Sequence, residues 1–150
     1  MIFNNSRDEV AEIIREHGVY ASATRGRSMR PLFKEGRDVV YVFALDTNIK
    51  KYDVLLYSVG NRLTLHRVIG FKEDLLLIRG DNTYELETVS REDVVGRLGA
   101  YTRRGKYKQV TSFHFKLFTF FAIAFYPVRY ALRKIKHAVL GSSKKTGNGV

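Results

Sequence analysis

The chain has no cysteine, no tryptophan, only two prolines, and no acidic residue from position 94 to its end. Without cysteine there is no disulfide framework, no thiolate nucleophile and no Cys-ligated zinc or iron–sulfur centre. The longest uncharged apolar run, Leu117–Val128, has 12 residues, short of the about 20 that a straight spanning helix needs. The opening MIFNNSRDEV lacks the basic-then-apolar pattern of a signal peptide, so none is expected. No glycine-rich phosphate loop occurs. His17, His66, His114 and His137 are widely scattered, so neither metal nor cofactor is expected.

What is present suits one folded domain. The 150 residues are 45% hydrophobic and 27% charged, enough for a core and unlike a disordered chain. The net charge of +11 first suggests nucleic acid or an anionic membrane. Its distribution narrows that. Residues 1–93 hold 14 basic and 15 acidic side chains, whereas residues 94–150 hold 12 basic ones and no acid. The positive charge belongs to the tail.

Ser6 to Gly18 reads as a helix. Ser6 and Glu9 form a Ser-x-x-Glu capping box, Val10, Ile13 and Ile14 share a face, and Gly18 supplies the stop. Strands are expected at Val19–Ala23, Asp38–Phe43, Asp53–Ser58, Leu63–Phe71, Leu75–Arg79 and Val94–Thr102. Gly60-Asn61 and Lys72-Glu73-Asp74 mark turns between them. Short strands with close turns predict a mainly β fold, a small curled antiparallel sheet.

Three features can bear chemistry. Gly26-Arg27-Ser28-Met29-Arg30-Pro31 can hold Ser28 on an exposed turn, as a nucleophile beside main-chain N–H groups or simply as a solvated turn serine. His66 lies in Leu63–Ile69, where alternation puts it on one face with Val68, and Leu65, Arg67 and Ile69 on the other. Its imidazole can act as a base near neutral pH or be structural. Gly80-Asp81-Asn82 is either a turn or the source of a carboxylate that orients His66. Asp38 and Asp53 read as strand-start residues, with a second acid as the alternative role.

Taken in order, the serine box, Lys51-Tyr52-Asp53-Val54, His66-Arg67-Val68-Ile69, Gly80-Asp81-Asn82 and Val95-Gly96 resemble the boxes of type I signal peptidases over residues 19–100. His66 stands where the endoplasmic-reticulum and archaeal type has histidine and most bacterial members have lysine. The resemblance implies a signal-peptidase-type sheet, with Ser28 as nucleophile, His66 as base and Asp81 as supporting carboxylate. It implies that Gly26, Arg27, Met29 and Pro31 border the substrate, a precursor peptide cut after small residues at a membrane surface. Arg27 stands where small residues are common, Tyr52 where glycine often precedes the aspartate, and Gly36-Arg37-Asp38 carries an insertion. The expected division is a helix over 1–18, a peptidase-like β domain over 19–112, a membrane-associated helix over 113–140 and a disordered tail over 141–150.

Along that C-terminal helix, Phe113, Leu117, Phe120, Phe121, Ala124, Val128, Ala131 and Ile135 share one side, and Arg129, Arg133 and Lys136 the other. Pro127 is expected to kink it. A packed core helix would explain the apolar face but not the concentrated positive charge; a kinked spanning helix and an interfacial anchor on anionic headgroups explain both. Two other functions remain open. One is a non-catalytic peptide-binding relative. The other is a nucleic-acid module built from Arg103, Arg104, Lys106 and Lys108 with Tyr101 and Tyr107, which the adjoining apolar run disfavours.

Overall fold

A computed structural model describes residues 1–46 and 48–142. The elements run β1 (Ile2–Phe3), α1 (Arg7–His17), β2 (Val19–Ala23), β3 (Val39–Phe43), β4 (Val54–Val59), β5 (Arg62–Lys72), β6 (Leu75–Arg79), β7 (Glu87–Val89), β8 (Val94–Arg103), β9 (Lys106–Gln109), α2 (Phe113–Ala124) and α3 (Tyr126–Ser142). The fold is mainly β, as expected: a curled antiparallel half-barrel with a short N-terminal helix and two C-terminal helices.

The sheet order is β2-β3-β8-β4-β5-β6-β7, with β1 added to β5 and β9 to β8. Curling comes from the two long strands, each of which changes partner along its length. β5 pairs with β4 through Arg62–Arg67 and with β6 through Arg67–Lys72. A register shift between Val68 and Gly70 marks the change; such bulges bend a strand and increase its twist. β1, β7 and β9 were not anticipated, being two, three and four residues long.

Ser6 caps α1 by accepting from the Glu9 N–H, while the Glu9 carboxylate turns away to Asn5 rather than closing the box. Gly18 ends the helix at φ +75°, a left-handed conformation that favours glycine. Val10 and Ile14 are buried in a cluster with Met29, Leu32, Phe33, Leu56, Leu63, Leu65 and Leu98. A second cluster, with Leu55, Tyr57, Val68, Leu76, Ile78 and Val89, lies on the opposite face of the sheet. β4 and the centre of β5 are therefore covered on both sides, with Leu65 and Arg67 towards one cluster and Val68 towards the other.

The single C-terminal helix expected is two, meeting at 43°. The break falls at Phe125, not at Pro127. Pro127 is the second residue of α3, where its missing N–H needs no helical acceptor. Gly141 and Ser142, expected in the tail, belong to α3; residues 143–150 lie outside the described residues. Among the described residues no single helix is long and apolar enough to cross a membrane, although the bent pair passes on length and composition.

These helices have their polarity reversed. Phe115 and Thr119 of α2 are buried against the domain, while Phe120 is 64% and Phe113 73% exposed. Phe121, Phe125, Val128, Leu132 and Ile135 also face outward. Arg129 points inward, donating to the Asp81 carbonyl, and its neighbours Tyr126 and Tyr130 pack on Tyr84.

Gly96 of β8 allows the close approach of three elements. A methyl group there would lie 2.6 Å from the Phe43 carbonyl, 2.7 Å from Val42 and 3.2 Å from Ile14. Gly96→Ala is expected to cost about 1–3 kcal/mol, read as a lower urea midpoint; an unchanged midpoint would contradict this packing.

Candidate active site

Ser28 lies on a turn held from both ends. Met29, Leu32 and Phe33 anchor the segment in the core with no exposed surface. The Arg30 N–H donates to the Arg27 carbonyl at 3.1 Å and the Phe33 N–H to that of Met29 at 3.1 Å. The apolar side chain of Met29, expected to border the substrate, turns inward and fastens the turn. Arg27 and Pro31 are exposed, and the Arg30–Pro31 peptide is cis. Gly26, at φ +84°, lies against the Met1 backbone.

The loop after β6 clamps this turn. The Asn82 N–H donates to the Ser28 carbonyl at 2.6 Å, and Asn82 Nδ2 to that of Arg27 at 3.2 Å. A methyl group on Gly80 would lie 2.8 Å from the Ser28 carbonyl and 3.0 Å from His66 Nε2. Only a residue without a side chain lets β5, this loop and the serine turn meet.

His66, buried on β5, faces two groups. Its Nδ1 is 3.0 Å from Glu87 Oε1 and 2.9 Å from the Tyr57 hydroxyl, which donates to Glu87 Oε2 at 2.7 Å. With Nδ1–H donating to the carboxylate, Nε2 keeps the lone pair. On that side stands the Met1 amine, 3.3 Å from Nε2, which also donates to Ser28 Oγ. Ser28 and His66 are thus brought together through a shared nitrogen; among the described residues they make no direct hydrogen bond.

Asp81 does not orient His66. Its carboxylate forms a two-pronged pair with Arg67, at 2.7 Å to Nε and 2.8 Å to Nη2. The fully buried guanidinium lies on the other face of β5 from the imidazole, and its planar fork matches both carboxylate oxygens. Arg67 Nη1 also donates to the Tyr52 carbonyl at 3.1 Å and to Thr119 at 3.0 Å. Glu87 is the carboxylate that sequence reasoning missed. Its one sequence signal is the alternation with Val89, a short pattern in a three-residue strand. Asp38 and Asp53 do mark the starts of β3 and β4: Asp38 is held by Arg37 and the Lys34 N–H, Asp53 by Arg97 and the Lys50 N–H.

Tyr52 adopts φ +78°, a left-handed conformation that favours glycine. Tyr101 is buried against Phe33 and Phe115, so it presents no face to a nucleic-acid base. Among the described residues no group of three or more His, Asp or Glu could hold a metal ion. No protein-family model and no curated protein matches the chain.

Burial pushes the His66 imidazolium down to about 3 from 6.5, the nearby positive amine adding to the effect. Burial also lowers the Met1 amine from 8.0 to about 6, against the opposing pull of Glu87. Both groups bind protons more readily in the unfolded chain, so acid favours unfolding. Their contribution to stability is complete above pH 8. The amine part is lost between pH 8 and 6, and the imidazole part between 6.5 and 3. The thermal midpoint should fall as pH is lowered through these windows, and His66→Gln should flatten the fall below pH 6.5. A midpoint that rises on acidification would refute the assignment.

Proposed function

We propose that the chain is a serine endopeptidase resembling signal peptidase I, which cuts precursor peptides at a membrane surface. One observation carries the reading. A single amine nitrogen contacts both Ser28 Oγ and His66 Nε2, the position the leaving nitrogen takes when an amide is cleaved by a serine and a base.

The chemistry follows from the atoms present. His66 Nε2 takes the Ser28 proton as Oγ attacks the scissile carbonyl, then delivers it to the departing amine. Glu87, rather than Asp81, stabilises the imidazolium through Nδ1, with Tyr57 fixing the carboxylate. The Ser28 N–H, which donates to no acceptor among the described residues, is available to the oxyanion. Water then hydrolyses the acyl-enzyme by the same route.

The outward apolar face of α2 and α3, with the basic surplus of residues 94–150, supports an anchor on anionic headgroups. A water-facing helix would present the opposite side. A non-catalytic peptide-binding relative would use the same cleft without labelling at Ser28.

A fluorophosphonate should label Ser28 covalently, and Ser28→Ala should abolish both labelling and cleavage of precursor peptides while keeping the thermal midpoint. Glu87→Gln should slow cleavage by about 10²–10⁴-fold. Undiminished cleavage by Ser28→Ala protein would sink the assignment. Separately, the protein should co-sediment with vesicles of neutral and anionic phospholipid, and high salt alone should not release it. Replacing Phe120, Phe121 and Phe125 together with serine should release it; if binding persists, that face is not the anchor.

A further inference from the structure

Helix α2 leaves a gap where it crosses the β3–β4 connection. The gap is a cavity of about 590 Å³, within the range of about 300–1,000 Å³ usual for small-molecule sites. Phe115 and Thr119 line it from the helix, and Tyr52 and Asp53 from the connection. The polar groups these residues bring are already engaged. The Thr119 hydroxyl and the Tyr52 carbonyl both accept from Arg67. The Asp53 carboxylate accepts from Arg97 and from the Lys50 N–H. A polar solute would give up its water for few partners here, whereas an apolar tail needs none.

The rim carries positive charge. Lys51 and Lys116 both line the cavity and are exposed. Among the described residues neither pairs with an acid, and the Lys51 ammonium lies 5.1 Å from the Tyr52 ring. One and two helical turns beyond Lys116, the residues Phe120, Ile123 and Ala124 complete the lining. Phe120 also belongs to the outward apolar face, with Phe121 and Phe125. The cavity therefore joins two unpaired cations to the face that the membrane reading turns towards lipid.

A ligand with an anionic head and an apolar tail matches both parts. Resting on that membrane reading, we propose that the cavity takes one acyl chain of an anionic phospholipid, whose phosphate is held by Lys51 and Lys116. Two flexible ammonium groups suit a phosphate, because they act as point charges and demand no fixed orientation. The second acyl chain stays among the neighbouring lipids, beside Phe120. This is a site for a single lipid molecule, distinct from the diffuse attraction of the basic tail to a charged surface.

The full protein, in neutral-detergent micelles containing phosphatidylglycerol, should retain one lipid molecule in native mass spectrometry. Phosphatidylcholine, with the same tails and no net charge, should be retained about tenfold less. Ala124→Trp fills the cavity and adds apolar surface, so it should lose the retained lipid and still sediment with vesicles of neutral and anionic phospholipid. Lys51→Glu/Lys116→Glu, which changes two exposed side chains, should lose the preference for phosphatidylglycerol. Should Ala124→Trp lower the thermal midpoint, the lysine pair decides alone. Equal retention by the wild type and a folded Ala124→Trp protein overturns the cavity as the site. Equal retention of the two lipids by the wild type, or an unchanged preference in the lysine variant, overturns the headgroup assignment. Free palmitate retained in place of phosphatidylglycerol overturns the choice of a phospholipid. A wild type that retains one lipid yet does not sediment with vesicles overturns the anchor reading instead, and leaves the cavity site standing.

Discussion

The pair between Arg67 and Asp81 holds the molecule's working parts in one arrangement. Removing two charges from water is expensive, and the structure meets the cost with a matched fork and further acceptors on Arg67. From this one guanidinium, bonds extend to the β3–β4 connection at Tyr52 and to α2 at Thr119. From Asp81 the chain runs directly into Gly80 and Asn82, which press on His66 and the serine turn. The inward Arg129 reaches the same loop through the Asp81 carbonyl. Half a pair left buried would disturb all of these at once.

Two carboxylates near His66 thus have different tasks. Asp81 is spent on structure, behind the strand. Glu87, on a short outer strand and about one-third exposed, faces the imidazole. Partial exposure keeps Glu87 beside water while its oxygens are fixed by Tyr57 and Nδ1. The same enclosure raises the Tyr57 hydroxyl well above the usual phenol range, through burial and the neighbouring carboxylate, so it remains a donor.

Much of this was legible in the sequence where short-range rules apply. Ser6 and Gly18 delimit α1, and alternation with turn residues locates six of the nine strands. Ser28 and His66 stood out by their surroundings. Asp81 misled because His66 and Arg67 are adjacent on β5 and face opposite sides, and which side the loop after β6 presents its carboxylate to is set by the tertiary fold. Glu87 was hidden because β7 exists only through its pairing with β6. Helical periodicity set Arg129 opposite Phe120, Phe121 and Val128, as the structure has them, yet periodicity is symmetric. Which side meets the domain depends on partners such as Tyr84 and Asp81. Pro127 misplaced the bend because proline is tolerated in a first turn.

The order of the site residues along the chain has a consequence for biosynthesis. Met1, Ser28, His66 and Glu87 come from four separated stretches, joined by strand pairings that close long loops, which form slowly because chain entropy opposes them. A nascent chain that has released only its first half has the serine and the imidazole but not the carboxylate of Glu87. On the proposed peptidase reading, hydrolysis begins only when the sheet has closed through β7, and a ribosome-bound fragment short of that strand leaves its neighbours uncut.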